Sequence, residues 1–190
     1  VIFKKKIGHI FFNATKFKKN SSHTFLYFVF ISMIPAVIVG FFLDHIIKLL
    51  FSGNIFLIGL MLIFNSFILL IADNFKEGKK NLNTLRAFLI GVSQAIGIIP
   101  GISRSGITIS TSILLGIKRG EAAIFSFLMV IPLIIGSVIK SILDQENFNF
   151  NLDFSILFIG FFTAFFTGII ACKWMLHIVE NFKLKYFSFY

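Results

Sequence analysis

The chain is 190 residues long, and 57% of these residues are hydrophobic while only 14% are charged. A soluble domain has about 25% charged residues, so this composition, with a mean hydropathy of +0.93, excludes an ordinary soluble domain. The net charge of +10 comes from 18 Lys and Arg against 8 Asp and Glu. A nucleic-acid-binding protein carries such charge on one face of a folded domain, whereas here the charges lie between long apolar blocks. We therefore expect a membrane protein that binds no nucleic acid.

Four apolar blocks are long enough to cross a membrane as helices. A helix rises 1.5 Å per residue, so about 20 residues cover a hydrocarbon core of roughly 30 Å. The sequence predicts membrane-spanning helices at residues 24–43, 53–72, 122–139 and 154–172. The predicted fold class is an all-α, polytopic integral membrane protein, with residues 1–190 forming a single membrane domain.

A fifth apolar block, residues 87–117, is too long for one span and too short for two. Pro100 and Gly101 interrupt it near its middle. As helices, the parts before and after this pair would reach about 20 Å and 24 Å, and neither comfortably crosses the membrane. We predict a re-entrant hairpin, in which two half-helices enter the membrane and return to the same side.

The distribution of Lys and Arg supports this topology, because cytoplasmic loops of membrane proteins carry the excess of these residues. If block 87–117 returns to the side from which it enters, 15 cations lie inside and two, Lys48 and Lys140, lie outside. If the block crosses the membrane, the split is 11 to 6, with Arg104 left out of both counts. The re-entrant topology fits better, and it makes the basic N-terminal stretch a cytoplasmic flank.

Arg104 is a charge deep inside an apolar block, which is costly unless the side chain faces water or a partner. The string QAIGIIPGISRSGITIST, residues 94–111, places Arg104 at the start of the second half-helix. A helix N-terminus favours an anion, and a guanidinium can donate two parallel hydrogen bonds to a phosphate. Ser103 and Ser105 flank the arginine, and Thr108 lies one turn further on the same face. Together these residues predict an oxyanion-binding site.

Other interpretations of these polar residues stay open. Arg104 could anchor helix packing or extend to the membrane surface, while small Ser, Thr and Gly residues could simply let helices approach closely. Gln94 could point into the same cavity or hydrogen-bond a neighbouring helix. For Ser110, Thr111 and Ser112 we favour a packing role.

A divalent cation usually accompanies a diphosphate in a membrane cavity, and its preferred ligands are carboxylate oxygens. No Asp or Glu lies within either predicted half-helix. Glu121 is interpreted as a solvated first-turn residue of the next span. No paired metal-ligand spacing is formed by the histidines, which are His9, His23, His45 and His177. We therefore assign no metal ligand in this chain.

The segment PGISRSG, residues 100–106, followed by Thr108, resembles the bacterial undecaprenyl-diphosphate phosphatase family, also called the bacitracin-resistance family. The resemblance extends through GVSQAIGIIPGISRSGITIS and LLGIKRGEAAIFSFLMVIP, and more weakly through MIPAVIVG, residues 33–40. It covers nearly the whole chain, which corresponds to the last two-thirds of a family member. The family's glutamate-rich first motif has no counterpart here, and Ile107 stands where the family often has Ala. We expect a fragment whose missing part holds the rest of the site, the alternative being a degenerate gene with an inactive product.

The resemblance implies hydrolysis of undecaprenyl diphosphate to undecaprenyl phosphate and inorganic phosphate, which recycles the lipid carrier for peptidoglycan synthesis and confers bacitracin resistance. It implies a multi-pass protein of the bacterial inner membrane, built from two inverted repeats, with the second hairpin at 87–117. The catalytic residues that it carries over are Arg104, Ser103, Ser105 and Thr108. The residues assigned to substrate binding are Gln94, Gly101 and Gly106.

The implied cofactor is a divalent cation, Mg²⁺ or Ca²⁺, with ligands outside this chain. The expected partners are the polyprenyl diphosphate lipid, membrane lipids and, as the candidate assembly, a second copy in a homodimer. Ser103 or Ser105 could act as a nucleophile, but no base in the sequence would activate it. A lipid transporter or flippase is the alternative function, because a broken helix with a midplane charge is also transport architecture. A non-catalytic membrane scaffold is a third.

Overall fold

The computed structural model describes residues 21–42, 55–76, 78–143, 154–181 and 184–190. All regular structure in these ranges is helical. The helices are α1 (Ser21–Phe42), α2 (Ile55–Asn74), α3 (Thr84–Ile96), α4 (Arg104–Leu114), α5 (Arg119–Leu143), α6 (Phe154–Asn181) and α7 (Lys185–Phe189). The predicted all-α fold class is confirmed.

Within the described ranges, four helices are long and apolar enough to cross a membrane, namely α1, α2, α5 and α6. Their ends differ from the predicted spans: α5 begins at Arg119 instead of residue 122, and α6 continues to Asn181 instead of ending at 172. Backbone hydrogen bonding does not depend on apolar side chains, so a helix continues beyond the run that is apolar enough to contact lipid.

Some predicted features lie outside the described residues. They are the basic N-terminal flank with His9, the segment with His45 and Lys48, and the span positions 43, 53 and 54.

The block predicted as re-entrant forms two short helices, α3 and α4, that pack against each other. Lys80, just before α3, donates its backbone N–H to the carbonyl of Gly116, just after α4, at 2.9 Å. The two outer ends of the pair therefore lie together, as a hairpin requires. The pair starts before residue 87 because Asn83 caps α3, accepting a hydrogen bond on its side chain from Arg86 N.

The turn between α3 and α4 packs against the beginning of α2. Gly101 has a φ of +94°, a left-handed conformation that suits glycine. A Cβ at this position would lie 2.5 Å from the carbonyl oxygen of Ile58 in α2. Within the turn, the N–H groups of residues 97–99 and of Ile102 donate to carbonyls three or four residues earlier, and Pro100 has no N–H. The turn thus pairs much of its own backbone.

Helix α4 is central, because it contacts α2, α3 and α5. Its Ile109 and Ile113 are fully buried. Helices α1 and α3 approach closely at Gly91, where a Cβ would collide with the backbone of Ser32. By contrast, residues 154–178 of α6 contain no buried residue, and Val179 near the end of this helix is fully buried. The packing fixes the N-terminus of α4 inside the bundle.

Asp73, near the end of α2, joins three segments. Its carboxylate accepts hydrogen bonds from Arg119 Nη1 at 3.2 Å and from Leu184 N at 2.6 Å. Nearby, the hydroxyls of Ser66 and Ser188 each donate to the other residue's backbone carbonyl at 2.8 Å. These bonds hold α7 against α2 and the beginning of α5.

Replacing Asp73 with Ala is expected to lower the stability of the fold by about 3 kcal/mol, because Arg119 loses its carboxylate partner in a mostly buried position. The measurement is the midpoint of thermal unfolding in detergent. Glu121→Gln is the matched control, since Glu121 is an exposed acid at the start of α5. Equal midpoints for the two variants would contradict the joining role of Asp73.

Gly101→Ala is expected to destabilise the hairpin by about 1–3 kcal/mol, because alanine is strained at this φ and its Cβ meets the backbone of α2. Gly59→Ala is the control, since a Cβ at Gly59 meets nothing within 4 Å. Limited proteolysis of the turn and the thermal midpoint both report the effect. An unchanged Gly101→Ala protein would show that the turn does not need glycine.

Candidate functional site

The first turn of α4 is organised by Ser103 and Arg104. Ser103 is the N-cap, and its Oγ accepts a hydrogen bond from Gly106 N at 3.1 Å. Arg104 is the first helical residue and is partly buried. A helix start carries the positive end of the dipole and N–H groups without intrahelical partners. The guanidinium therefore adds a full charge to a position that already favours anions.

An open cavity of about 540 Å³ lies beside this turn, and we call it the arginine cavity. Its polar lining comes from Arg104, Ser105, Thr108 and Ser126, and Gly101 forms part of its wall. The remaining lining is mainly apolar. The sequence predicts four of these residues, which are Gly101, Arg104, Ser105 and Thr108. The structure adds Ser126.

The hydroxyl groups of this cavity have different hydrogen-bonding states. Thr108 is buried, and its Oγ1 donates to the carbonyl of Arg104 at 2.9 Å, which holds the first turn together. Ser105 Oγ lies 3.5 Å from Ser103 Oγ, a distance at the limit of a hydrogen bond. Ser105 can therefore turn its hydroxyl towards a bound anion, whereas Thr108 is already committed to the backbone.

Ser126 is the residue that the sequence analysis missed. It lies in α5, is 5% exposed, and its Oγ has no hydrogen-bond partner among the described residues. Ser93 and Ser112, also in helices, each donate to a backbone carbonyl of their own helix. An unpaired buried hydroxyl is costly, so Ser126 is available to a ligand in the arginine cavity. The sequence feature that could have identified Ser126 is its position as a hydroxyl residue in EAAIFSFLMVIP, a segment included in the family resemblance.

Ser103 and Gly106 line a different cavity, of about 750 Å³, which also contains Asn65 and Ser66. We call it the asparagine cavity. The sequence interpretation placed Ser103 with Ser105 in one cradle, but the two residues face different cavities. A helix has 3.6 residues per turn, so residues 103 and 106 share one face while 104 and 108 share another.

Gln94 lines neither cavity. It is 1% exposed, and its Nε2 has no hydrogen-bond partner among the described residues. The nearby Gly97 lets the end of α3 approach the start of α4, since a Cβ there would lie 3.1 Å from the Cα of Arg104. Gln94 is therefore buried in α3 outside both cavities, and its role in substrate binding stays a prediction.

The described ranges contain no group of three or more His, Cys, Asp or Glu side chains that could hold a metal ion. The linings of the two cavities contain no carboxylate or imidazole either. The described residues therefore do not fit a divalent-cation site by themselves. They fit an anion, because they combine a guanidinium, hydroxyl donors and a helix N-terminus.

Comparison with known proteins agrees with the motif that contains Arg104. Residues 1–190 match the family described as "Bacitracin resistance protein BacA". The chain is 47% identical over 190 residues to a protein of Christiangramia forsetii named undecaprenyl-diphosphatase, covering all of this chain and 72% of the relative. A protein of the same name from Bacteroides fragilis is 39% identical over 194 residues, covering all of this chain and 73% of the relative.

A more distant relative is the undecaprenyl-diphosphatase of Staphylococcus epidermidis, 36% identical over 169 residues, which cover 85% of this chain and 58% of the relative. The resemblance of PGISRSG to the bacitracin-resistance family is thereby confirmed. Because the family match extends over every residue of the chain, this protein belongs to the BacA family of bacitracin resistance proteins.

Proposed function

We propose that the protein hydrolyses undecaprenyl diphosphate to undecaprenyl phosphate and inorganic phosphate at the membrane. The observation that carries this proposal is the arginine cavity, where Arg104, Ser105 and Ser126 converge at a helix N-terminus. The relatives named undecaprenyl-diphosphatase support the choice of substrate. The reaction would return the lipid carrier used in peptidoglycan synthesis, which agrees with the family description of bacitracin resistance.

Arg104 is assigned the binding of the terminal phosphate. Its planar guanidinium can donate two parallel hydrogen bonds to phosphate oxygens and stays charged when water is removed. The N–H groups in the first turn of α4 point towards the N-terminal end of the helix, where they favour the same anion. Negative charge on the terminal phosphate is thus stabilised by a full charge and by the helix dipole from one side.

Ser105 and Ser126 are assigned hydroxyl hydrogen bonds to the phosphate from two different helices, α4 and α5. Donors on separate helices fix the orientation of the phosphate better than donors on one turn, because they approach it from different directions. Thr108 acts as a positioning residue, since its hydroxyl bonds the carbonyl of Arg104. Removing that hydroxyl would loosen the turn that presents the arginine.

The bond that breaks joins the terminal phosphorus to the bridging oxygen. The phosphoryl group passes to water, and the lipid monophosphate leaves with the bridging oxygen. The lining of the arginine cavity supplies no side chain that could act as a general base. We therefore assign binding and orientation, rather than proton transfer, to the residues of this chain.

The proposal includes the bacterial inner membrane as the location and a homodimer as the assembly. Four helices suited to crossing a membrane support a membrane location, and mass measurement of the purified protein in detergent tests the assembly. The expected Mg²⁺ or Ca²⁺ takes its ligands from outside the described residues. Phosphate release with each cation and with a chelator tests that expectation.

Arg104→Ala in the complete gene product is expected to lower kcat/KM for phosphate release from undecaprenyl diphosphate by about 10²–10³-fold, the cost of losing one charged stabilising group. Arg104→Lys should recover only part of the rate, since an ammonium cannot form the two parallel bonds. Lys118→Ala is the control, because Lys118 is exposed and lies outside the arginine cavity. Near-normal activity of Arg104→Ala would refute the assignment.

Ser126→Ala is expected to raise KM about tenfold through loss of a hydrogen bond to a charged group, with a smaller change in kcat. Ser110→Ala is the matched control: Ser110 is also buried and its Oγ is also unpartnered, but it does not line the arginine cavity. Thermal midpoints of the two variants should be similar. The role of Ser126 is rejected if both variants change KM equally.

A further inference from the structure

The asparagine cavity adjoins a third depression, an apolar groove of about 720 Å³ between α6 and α7. The cavity and the groove share three lining residues, Met175, Phe187 and Tyr190. The groove is further lined by Trp174 and Tyr186, and no charged residue lines either space. A polar space thus continues into an apolar one, which is the shape of a site for an amphiphile.

We propose that these two spaces hold the lipid side of the substrate: the asparagine cavity takes the phosphate attached to the polyprenyl chain, and the apolar groove takes the first isoprene units. This inference rests on the proposed function and adds to it the route of the chain away from the arginine cavity.

Asn65 forms the polar end of the proposed route. It is 6% exposed, and its Oδ1 has no hydrogen-bond partner among the described residues. That oxygen would lie 3.4 Å from a Cβ at Gly106, so the amide sits against the first turn of α4. An asparagine amide offers two N–H donors as well as an acceptor. A rotation of the amide by half a turn about its Cβ–Cγ bond would point these donors at a phosphate oxygen in the cavity.

Ser103 contributes a second donor at the same end. Its Oγ accepts from Gly106 N, so its own hydroxyl hydrogen stays available to an anion. Ser66, by contrast, already uses its hydroxyl to bond the backbone of Ser188 in α7. Beside the N-terminus of α4, the polar groups that remain for a ligand are therefore Asn65 and Ser103.

The charges of the two cavities match the two phosphates of the substrate. In a lipid diphosphate the inner phosphate carries one negative charge, whereas a terminal phosphate carries between about 1.5 and 2 at neutral pH. The arginine cavity has a full positive charge for the terminal group. The asparagine cavity has only neutral donors and a helix N-terminus, which suits the less charged inner group.

The two cavities are also close enough for one diphosphate. Ser103 lines one and Ser105 lines the other, and their hydroxyl oxygens are 3.5 Å apart. Neighbouring phosphates that share one oxygen can therefore lie across the N-terminal end of α4, one beside each hydroxyl. The polyprenyl chain of the substrate then continues from the inner phosphate past Tyr190 into the groove.

The test compares substrates that differ only in chain length, using the complete gene product. Dimethylallyl diphosphate has one isoprene unit and should occupy only the start of the groove, beside Tyr190, whereas farnesyl and undecaprenyl diphosphates should extend to Trp174 and Tyr186. The double variant Trp174→Ala/Tyr186→Ala removes exposed side chains of the groove. Phe161→Ala is the matched control, because Phe161 is 64% exposed on α6, as Trp174 is 69% exposed, but does not line the groove.

We expect the double variant to lose at least about tenfold in kcat/KM on the two longer substrates, and less than about twofold on the one-unit substrate. Phe161→Ala should resemble the unmodified protein on all three. Equal losses on all three substrates, or no loss on the longer ones, would overturn the groove while leaving the phosphatase proposal intact. If the unmodified protein releases no phosphate from any of them, the proposed function fails and this inference fails with it.

A second measurement does not depend on turnover. A farnesyl diphosphate analogue with a photoreactive group on its last isoprene unit should label α6 near Trp174 or α7 near Tyr186. Excess farnesyl phosphate should prevent the labelling, whereas excess phospholipid should not. Asn65→Leu should reduce the labelling, because it removes the polar end. Labelling elsewhere, or equal competition by phospholipid, would show that the groove is only a place where membrane lipids lie.

Discussion

The backbone of an interrupted helix must be paired wherever it lies among apolar side chains, because no water is available there to replace the missing hydrogen bonds. The turn between α3 and α4 meets this requirement with short-range bonds from residues 97–99 and from Ile102, and Pro100 needs none. Gly101 lets the turn reverse tightly against α2. The interruption can therefore exist inside the bundle, and it gives α4 an N-terminus there. Both cavities depend on that N-terminus.

The helices could be predicted from the sequence where the physical signal is local. An apolar run of about 20 residues satisfies both the length of a membrane crossing and the backbone of a helix, so four long helices follow from composition alone. Pro100 and Gly101 mark the break in the same way. The ends of α5 and α6 could not be predicted from hydropathy, because the helices continue into charged flanks. Asn83 caps the start of α3, and this local signal is not detected by a search for apolar runs.

The site could be predicted only in part. Arg104 stands out because a charge in an apolar block is costly, and Ser105 and Thr108 follow from helical spacing. The same spacing separates Ser103 from them, since one residue advances a helix by 100°, a difference that the sequence interpretation did not use. Ser126 and Asn65 come from other helices. Their approach to α4 depends on the packing of distant segments, which a local pattern does not specify.

The bonds that join α2 to α7 link distant parts of the chain, so the protein can complete its fold only late in synthesis. Ser66 and its partner Ser188 are separated by 122 residues, and Asp73 and Leu184 by 111 residues. At synthesis rates of roughly 5–20 residues per second, about 6–24 s pass between the emergence of Ser66 and of Ser188. Arg119 emerges 46 residues after Asp73 and can bond its carboxylate early, whereas the bond from Leu184 N forms only at the end of that interval. Docking of α7 is therefore a late step of biogenesis, and the asparagine cavity cannot exist before it.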